Sequence, residues 1–232
     1  MKIALLGYGK MGKAIKKIAL KRNHEIIFLL DKEIKKGNLS NADIAINFSV
    51  PDSAFDNIML ALKLRIPVVS GTTGWLKHYD KVKKYCVKNK LSFLYSSNFS
   101  ISVNLFFKLN QFLSKLMNDN YEYKVKIKET HHINKLDSPS GTAISLAEDI
   151  ISNTNFNDWK LNKEKDKSIL IKSKRKNEIP GTHIVSYSTK IDKIKISHIT
   201  RSREGFAFGA IIAAEWLIGK KGVYNMEDVL NL

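Results

Sequence analysis

The chain holds one cysteine, four prolines and only five arginines among 39 basic residues, and acidic residues number just 22. A lone Cys86 excludes an intrachain disulfide and fits a reducing, cytoplasmic setting. Within Lys-Tyr-Cys-Val-Lys it reads as a small buried apolar residue on a helix. No apolar run approaches the roughly 18 residues that a membrane span requires. Ile3-Ala-Leu-Leu6 is too short, and Lys10 and Lys13 follow too closely, for the apolar stretch of a secretion signal. The shortage of arginine also bears on the net charge of +17. Arginine's rigid donor fork is the usual reader of bases and phosphates, whereas the 34 lysines are scattered over helix faces and loops without interleaved aromatics. They read as solvated surface. No nucleic-acid and no membrane partner is expected, although the excess charge draws anionic substrates and cofactors.

What is present is ample apolar material: 44% of 232 residues, with 11 Phe, 8 Tyr and 3 Trp, enough for one large or two small cores. Short apolar strands at Lys2–Leu6, 25–30, 43–48, 67–70 and 92–95 alternate with helical patterns at 11–21, 51–64 and 76–89. Strands and helices alternating at this interval predict parallel βαβ units and a Rossmann-like, doubly wound α/β sheet. After about Ile101 the pattern changes to a helix at 103–117, a long alternating strand at 121–129, a helix at 142–152 and strands at 168–172, 182–188 and 193–200. That is α+β character with an open, mixed or mostly antiparallel sheet. Residues 205–217 form a helix that is apolar nearly all round and is therefore expected to be buried in the first domain. The polar, weakly patterned stretch 153–167 is expected to be a mobile loop. The division expected is thus residues 1–101 with 204–232, and residues 102–203.

Gly7-Tyr8-Gly9-Lys10-Met11-Gly12 has G-x-G-x-x-G spacing directly after a strand and at the start of a helix, and Asp31 ends the next strand. This is the context in which such a run binds a dinucleotide. Gly7 makes the tight turn, Gly9 lets backbone approach a pyrophosphate and Gly12 permits close helix–strand packing. Asp31 would accept hydrogen bonds from ribose hydroxyls, so NADH is expected to be preferred or used alongside NADPH. Gly71-Thr72-Thr73-Gly74 and Ser96-Ser97-Asn98-Phe99 follow strands too, and both fall at the carboxyl edge of the sheet, where open α/β folds bind ligands.

The segment Glu129-Thr-His131-His132-Ile-Asn-Lys135-Leu-Asp-Ser-Pro-Ser-Gly141-Thr142-Ala143 sets two histidines and a lysine just ahead of a helix start. Neighbouring histidines in an extended segment point to opposite sides, one towards a reacting centre and the other towards a carboxylate. Asp137, Ser138 or Ser140 can cap the helix, and Gly141 leaves its own N–H and that of Thr142 open to an anion. No Cys, Glu or Asp spacing completes a metal set around the histidines, so no metal is expected.

This segment closely resembles the signature of the 4-hydroxy-tetrahydrodipicolinate reductase (dihydrodipicolinate reductase) family. The resemblance extends in order over Gly7–Gly12, Gly71–Gly74, Ser96–Phe99, Pro180-Gly-Thr-His183 and 198–216, nearly the whole chain. It implies NAD(P)H-dependent reduction of a small dicarboxylate with loss of water, in lysine and diaminopimelate biosynthesis. Residues 1–101 with 204–232 would bind the dinucleotide through Gly7–Gly12, Asp31, Gly71–Thr73 and Ser96–Phe99. Residues 102–203 would bind substrate and form a homotetramer. His131 would donate and accept the proton and Lys135 would act as a second donor or carboxylate partner. His132, Gly141, Thr142 and Arg203 would hold substrate carboxylates. The chain departs from longer members in its short stretch between Asp31 and Asp43 and in Val50, where some relatives have an arginine. Two rivals share part of these features: another two-domain amino- or hydroxy-acid dehydrogenase, and a non-catalytic NAD-sensing regulator.

Overall fold

The computed structural model describes residues 1–118, 122–202 and 204–232. In chain order the first elements are β1 (Lys2–Leu6), α1 (Lys10–Lys21), β2 (Glu25–Leu30), β3 (Lys35–Gly37), β4 (Ile44–Asn47), α2 (Pro51–Lys63), β5 (Val68–Ser70), α3 (Tyr79–Asn89) and β6 (Ser92–Tyr95). There follow α4 (Ile101–Met117), β7 (Lys124–His131), α5 (Gly141–Asn153), β8 (Asp158–Leu161), β9 (Ser168–Arg175), β10 (Gly181–Ser188) and β11 (Lys193–Thr200). The chain ends in α6 (Glu204–Leu217), β12 (Gly222–Tyr224) and α7 (Met226–Leu230). Two compact units result, Met1–Asn104 with Glu204–Leu232, and Leu105–Arg203.

In the first unit seven strands form one sheet in the order β12-β6-β5-β4-β1-β2-β3. Every pairing is parallel except β2 with β3. The central strands read as apolar runs because a parallel strand is covered on both faces. β1 shows the arrangement residue by residue. Ile3 and Leu5 join Ile15 and Ala19 of α1 and Ala210, Ile211 and Ala214 of α6. Ala4 and Leu6 join Ile58 and Leu62 of α2 and Val82 and Cys86 of α3. Each fully buried Leu or Ile contributes about 1.5–3 kcal/mol, so alternate positions of one strand hold the two helical layers to the sheet. α6 lies against the loop after β6 at glycine-only distance, since a Cβ on Gly209 would meet the Phe99 carbonyl oxygen at 1.7 Å. From β1 the chain runs to β2 on one side while β4 lies on the other, which creates the crevice where such sheets bind ligands.

The second unit is built on a five-stranded sheet, β11-β10-β7-β9-β8. β10 pairs antiparallel with β11 and β7, whereas β7, β9 and β8 run parallel, so the sheet is mixed. The strand expected from Tyr121 begins at Lys124, Tyr121 itself lying outside the described residues, and it extends through His131. Val125, Ile127, Glu129 and His131 share the buried face by period-two alternation. Ala143, Leu146, Ala147 and Ile150 of α5 pack on the apolar part of that face. The stretch expected to be a mobile loop contains β8. As an edge strand whose four residues are all half-buried, β8 carries no clean apolar alternation to announce it. β3, Lys-Lys-Gly, is exposed throughout and carries no apolar signal, and β12 and α7 were not expected either.

Candidate active site

The glycine turn in the first unit assigns each glycine a different task. Gly7 has φ +100, and a Cβ there would lie 2.3 Å from the Phe48 carbonyl oxygen. A Cβ on Gly12 would lie 2.3 Å from the Gly7 carbonyl oxygen, so the helix meets the turn at van der Waals contact. Gly9 has nothing within 4 Å of its absent Cβ. As N-cap of α1 it offers no side-chain cap, and the first N–H groups of the helix stay available to an anion. This open approach over an uncapped helix start fits a dinucleotide pyrophosphate. Asp31 follows β2, and its two carboxylate oxygens accept the backbone N–H of Tyr8 at 3.1 Å and of Lys32 at 2.9 Å. The acidic group is thereby tied to the glycine turn, with lone pairs left for a ribose.

A cleft of about 230 Å³ opens beside this turn, lined by Met11, Phe48, Ser49, Pro51, Gly71, Thr72 and Thr73. Thr72 is largely structural: its Oγ1 donates to the Ser49 carbonyl at 3.1 Å and its own carbonyl accepts Trp75 Nε1 at 2.8 Å. Ser96 and Asn98 close their own turn, Ser96 Oγ donating to the Asn98 carbonyl at 2.8 Å. Phe99 is buried in the core beneath α6. Of the residues expected to bind cofactor, Met11, Gly71, Thr72 and Thr73 line the cleft, while Ser96–Phe99 do not. Phe48, Ser49 and Pro51 line it and escaped notice, although they follow a strand at the carboxyl edge.

In the second unit the buried face of β7 turns from apolar to polar at Glu129. This carboxylate is 1% exposed on the central strand. It accepts hydrogen bonds from His131 Nδ1 and Ser173 Oγ, from Arg175 Nη1 at 3.0 and 3.2 Å, and from the Ser140 N–H at 3.4 Å. Burial alone would raise its pKa, but the hydrogen bonds from His131, Ser173 and Arg175 outweigh burial and bring it down to about 2. His183, paired across from Glu129 on β10, is 5% exposed and meets the His131 ring edge-on with centroids 5.0 Å apart. Burial, with His131 adding to it, pushes His183 down to about 3, so this ring is neutral at ordinary pH. Its Nε2 hydrogen-bonds Ser140 Oγ at 3.1 Å.

Ser140 is the N-cap of α5, its Oγ accepting the Ala143 N–H at 3.3 Å. Among Asp137, Ser138 and Ser140 it is thus Ser140 that caps. Gly141 opens the helix with nothing within 4 Å of its absent Cβ. Between the strand and this helix, Lys135 Nζ pairs with Asp137 Oδ1 at 2.7 Å. Burial would raise the Asp137 pKa, but the Lys135 ammonium and the Gly141 N–H lower it below the usual carboxylate range. Arg175 pins the same loop, Nε donating to the Lys135 carbonyl at 3.2 Å and Nη2 to that of Asp137. His132 is half-buried just past β7. Arg203 lies outside the described residues.

The histidine segment therefore converges as one cluster, in which His131, Lys135, Gly141 and Thr142 sit around the start of α5. Glu129, Ser173, Arg175 and His183 belong to the same cluster but carried no role in the reading of the sequence. The signal for Glu129 was legible, since it stands two residues before His131 in an alternating strand. Arg175 and Ser173 reach the cluster only through the register of β9 against β7, which no local pattern reveals.

A Rossmann-type sheet, an uncapped glycine turn and a buried acid–base cluster beside a helix start are the marks of an NAD(P)H-dependent oxidoreductase. The chain belongs to the dihydrodipicolinate reductase family. Residues 1–99 match the model described as dihydrodipicolinate reductase, N-terminus, and residues 102–230 the one for its C-terminus. A protein of Christiangramia forsetii named 4-hydroxy-tetrahydrodipicolinate reductase is 50% identical over 100% of this chain and 98% of its own. One of the same name from Pelagibacter ubique is 38% identical over 82% of this chain and 76% of its own. The solved structure titled dipicolinate bound dihydrodipicolinate reductase from Paenisporosarcina sp. TG-14 has a TM-score of 0.81, 23% identity and 98% coverage of both chains, a likeness of fold.

Proposed function

We propose that this chain reduces 4-hydroxy-tetrahydrodipicolinate to tetrahydrodipicolinate with loss of water, using NADH or NADPH, in lysine and diaminopimelate biosynthesis. The observation that carries the reading is the convergence of the Glu129–His131 pair and Lys135 on the open N-terminus of α5. The name carried by the Christiangramia and Pelagibacter relatives is that of the same activity.

The dinucleotide would lie over Gly9 with its pyrophosphate on α1 and its ribose at Asp31. When bound, the reduced nicotinamide supplies the hydride. The protein's own residues do the rest. The N–H groups of Gly141 and Thr142, with His132 and Lys135, hold the substrate carboxylates, and amides at a helix start favour negative charge. Arg203 is assigned to the same task. His131 returns a proton at Nε2 to the carbon beside the reduced centre, a step worth about 10²–10⁴-fold. Lys135 offsets developing negative charge. Residues 1–101 with 204–232 act as the dinucleotide-binding domain and 102–203 as the substrate-binding and oligomerisation domain. A homotetramer formed through the latter is supported by α4, where Leu105, Leu109, Phe112 and Leu116 make one stripe that is 48–61% exposed. A cytoplasmic setting accords with Cys86, whose thiol burial pushes up to about 12 and out of redox chemistry.

The test is oxidation of NADH and NADPH with substrate generated in the same vessel by its synthase. Turnover that depends on the synthase supports the assignment. No turnover by folded enzyme with either cofactor would defeat it. His131→Gln is expected to lower kcat strongly and leave NADH affinity alone.

A further inference from the structure

The reading of the reaction leaves Glu129 and Arg175 without a part, although each makes several hydrogen bonds within the cluster. We propose that Glu129 is a positioning residue for the proton step. It holds the His131 imidazole by Nδ1, so that Nε2 is the only ring position left to exchange a proton with substrate. The inference rests on the proposed reduction, because it needs a proton to be delivered.

Three observations carry it. First, Glu129 is on the central strand, 1% exposed, and saturated by four donors, so it stays an anion and cannot itself be the acid. Which nitrogen of an imidazole reacts is set by the hydrogen bond made at the other, and here the other is Nδ1. Second, the same carboxylate accepts the Ser140 N–H, one residue before the helix start that would hold the substrate carboxylates. Its partner Arg175 takes the carbonyls of Lys135 and Asp137 in the loop between them. One buried ion pair thus sets the distance from the proton donor to the anion-binding amides, the kind of rigid support that a productive geometry requires. Third, no neighbour can take over the role. On the sheet face that carries His131 the titratable and charged groups are Glu129 on β7, Arg175 on β9, His183 on β10 and His198 on β11, with Lys135 and Asp137 in the adjoining loop, while the lysines of these strands alternate onto the opposite face. Among these Glu129 alone is an anion bonded to the ring. His183 has its Nε2 engaged by Ser140 Oγ, and burial disfavours its charged form, so it is a poor proton acceptor for a relay running inward from His131.

The experiment compares the full-length wild type with Glu129→Gln, which keeps the shape and an acceptor oxygen but removes the charge. The expected result is a kcat lower by about 10- to 100-fold with KM for NADH within about twofold. The loss should fall on kcat and spare KM, a division that a residue serving packing alone would not produce. A folded variant with wild-type kcat overturns the proposal. The nitrogen-15 spectrum of the wild type, with His131 assigned by difference from His131→Gln, decides the matter even if Glu129→Gln does not fold. Protonated Nδ1 in the neutral ring supports the proposal and bare Nδ1 overturns it. Wild-type enzyme that shows no turnover would sink the proposed reaction, while this spectrum would still report on the Glu129–His131 bond.

Discussion

Gly181 leaves space for His131. It precedes Thr182, the partner of Thr130 across β10 and β7, and a Cβ at Gly181 would come within 3.1 Å of His131 Nε2 and 3.3 Å of Cδ2. That is closer than side chains ordinarily approach, and the ring could yield only by turning on its Nδ1–Glu129 bond. Gly181→Ala is therefore expected to lower kcat about tenfold or more through misplacement of the ring. The fold should persist, because the obstacle is one ring edge at the sheet margin. Steady-state kinetics beside a thermal melt would check this, and a variant with intact kcat would show that the contact has no bearing on the proton step.

Asp137 holds the Lys135 ammonium, a group that the proposed function gives to the substrate. It acts as an internal stand-in for a substrate carboxylate that must be displaced. Exposed ion pairs of this kind are weak, about 0.2–1 kcal/mol, which limits the competition to about fivefold. Asp137→Asn is accordingly expected to lower the dissociation constant of a small dicarboxylate inhibitor by about two- to fivefold. Isothermal titration would measure it, and weaker binding would mean that Asp137 helps to shape the site.

Glu129 also ties stability to acid. A carboxyl group with a folded-state pKa below its unfolded value stabilises the fold above the unfolded value and loses that contribution as pH falls through the folded one. For Glu129 the window runs down from 4.5 to about 2. The advantage of wild type over Glu129→Gln at pH 6, on the order of 3 kcal/mol, should shrink through that window. Urea unfolding of both proteins at pH 6 and pH 3 would reveal it. A gap that stays constant would show that the carboxylate is not the group responsible.

Gly9 and Gly12 separate binding from folding within one turn. Gly9→Ala meets no atom within 4 Å, so the protein should keep its melting temperature while NADH affinity falls by about tenfold as the methyl group obstructs the pyrophosphate. Gly12→Ala would place its methyl carbon 2.3 Å from the Gly7 carbonyl oxygen and should destabilise by about 1–3 kcal/mol. Fluorescence titration with NADH, set beside melting curves, distinguishes the two. Equal melting points for both variants would contradict the packing described.

Much of the first unit was legible because its signals are local. β1 and β2 end where their apolar runs stop, Gly7 and Asp31 stand at strand ends, and Pro51 opens α2 as a proline at the first helical turn should. The second unit was legible wherever one buried face alternates, as in β7 and β10, and obscure at the edge strand β8, whose residues are all half-buried. Within the cluster, His131, Lys135 and Gly141 lie within eleven residues of one another in the chain and could be found by eye. Arg175 lies 46 residues from Glu129, and nothing near it marks it as a partner.

The chain's order of residues by itself determined the parallel sheet, the glycine turn and the grouping of two histidines, a lysine and a helix start, because each depends on spacing shorter than one or two secondary-structure elements. Only the tertiary structure decided that His131 rather than His132 is the ring held by a carboxylate, and that the carboxylate is Glu129. It alone showed that Arg175 and His183 close the shell around them. The physical reason is register: a buried charge finds its donors across neighbouring strands, and which residues face each other there is settled by how the sheet aligns, not by their distance along the chain.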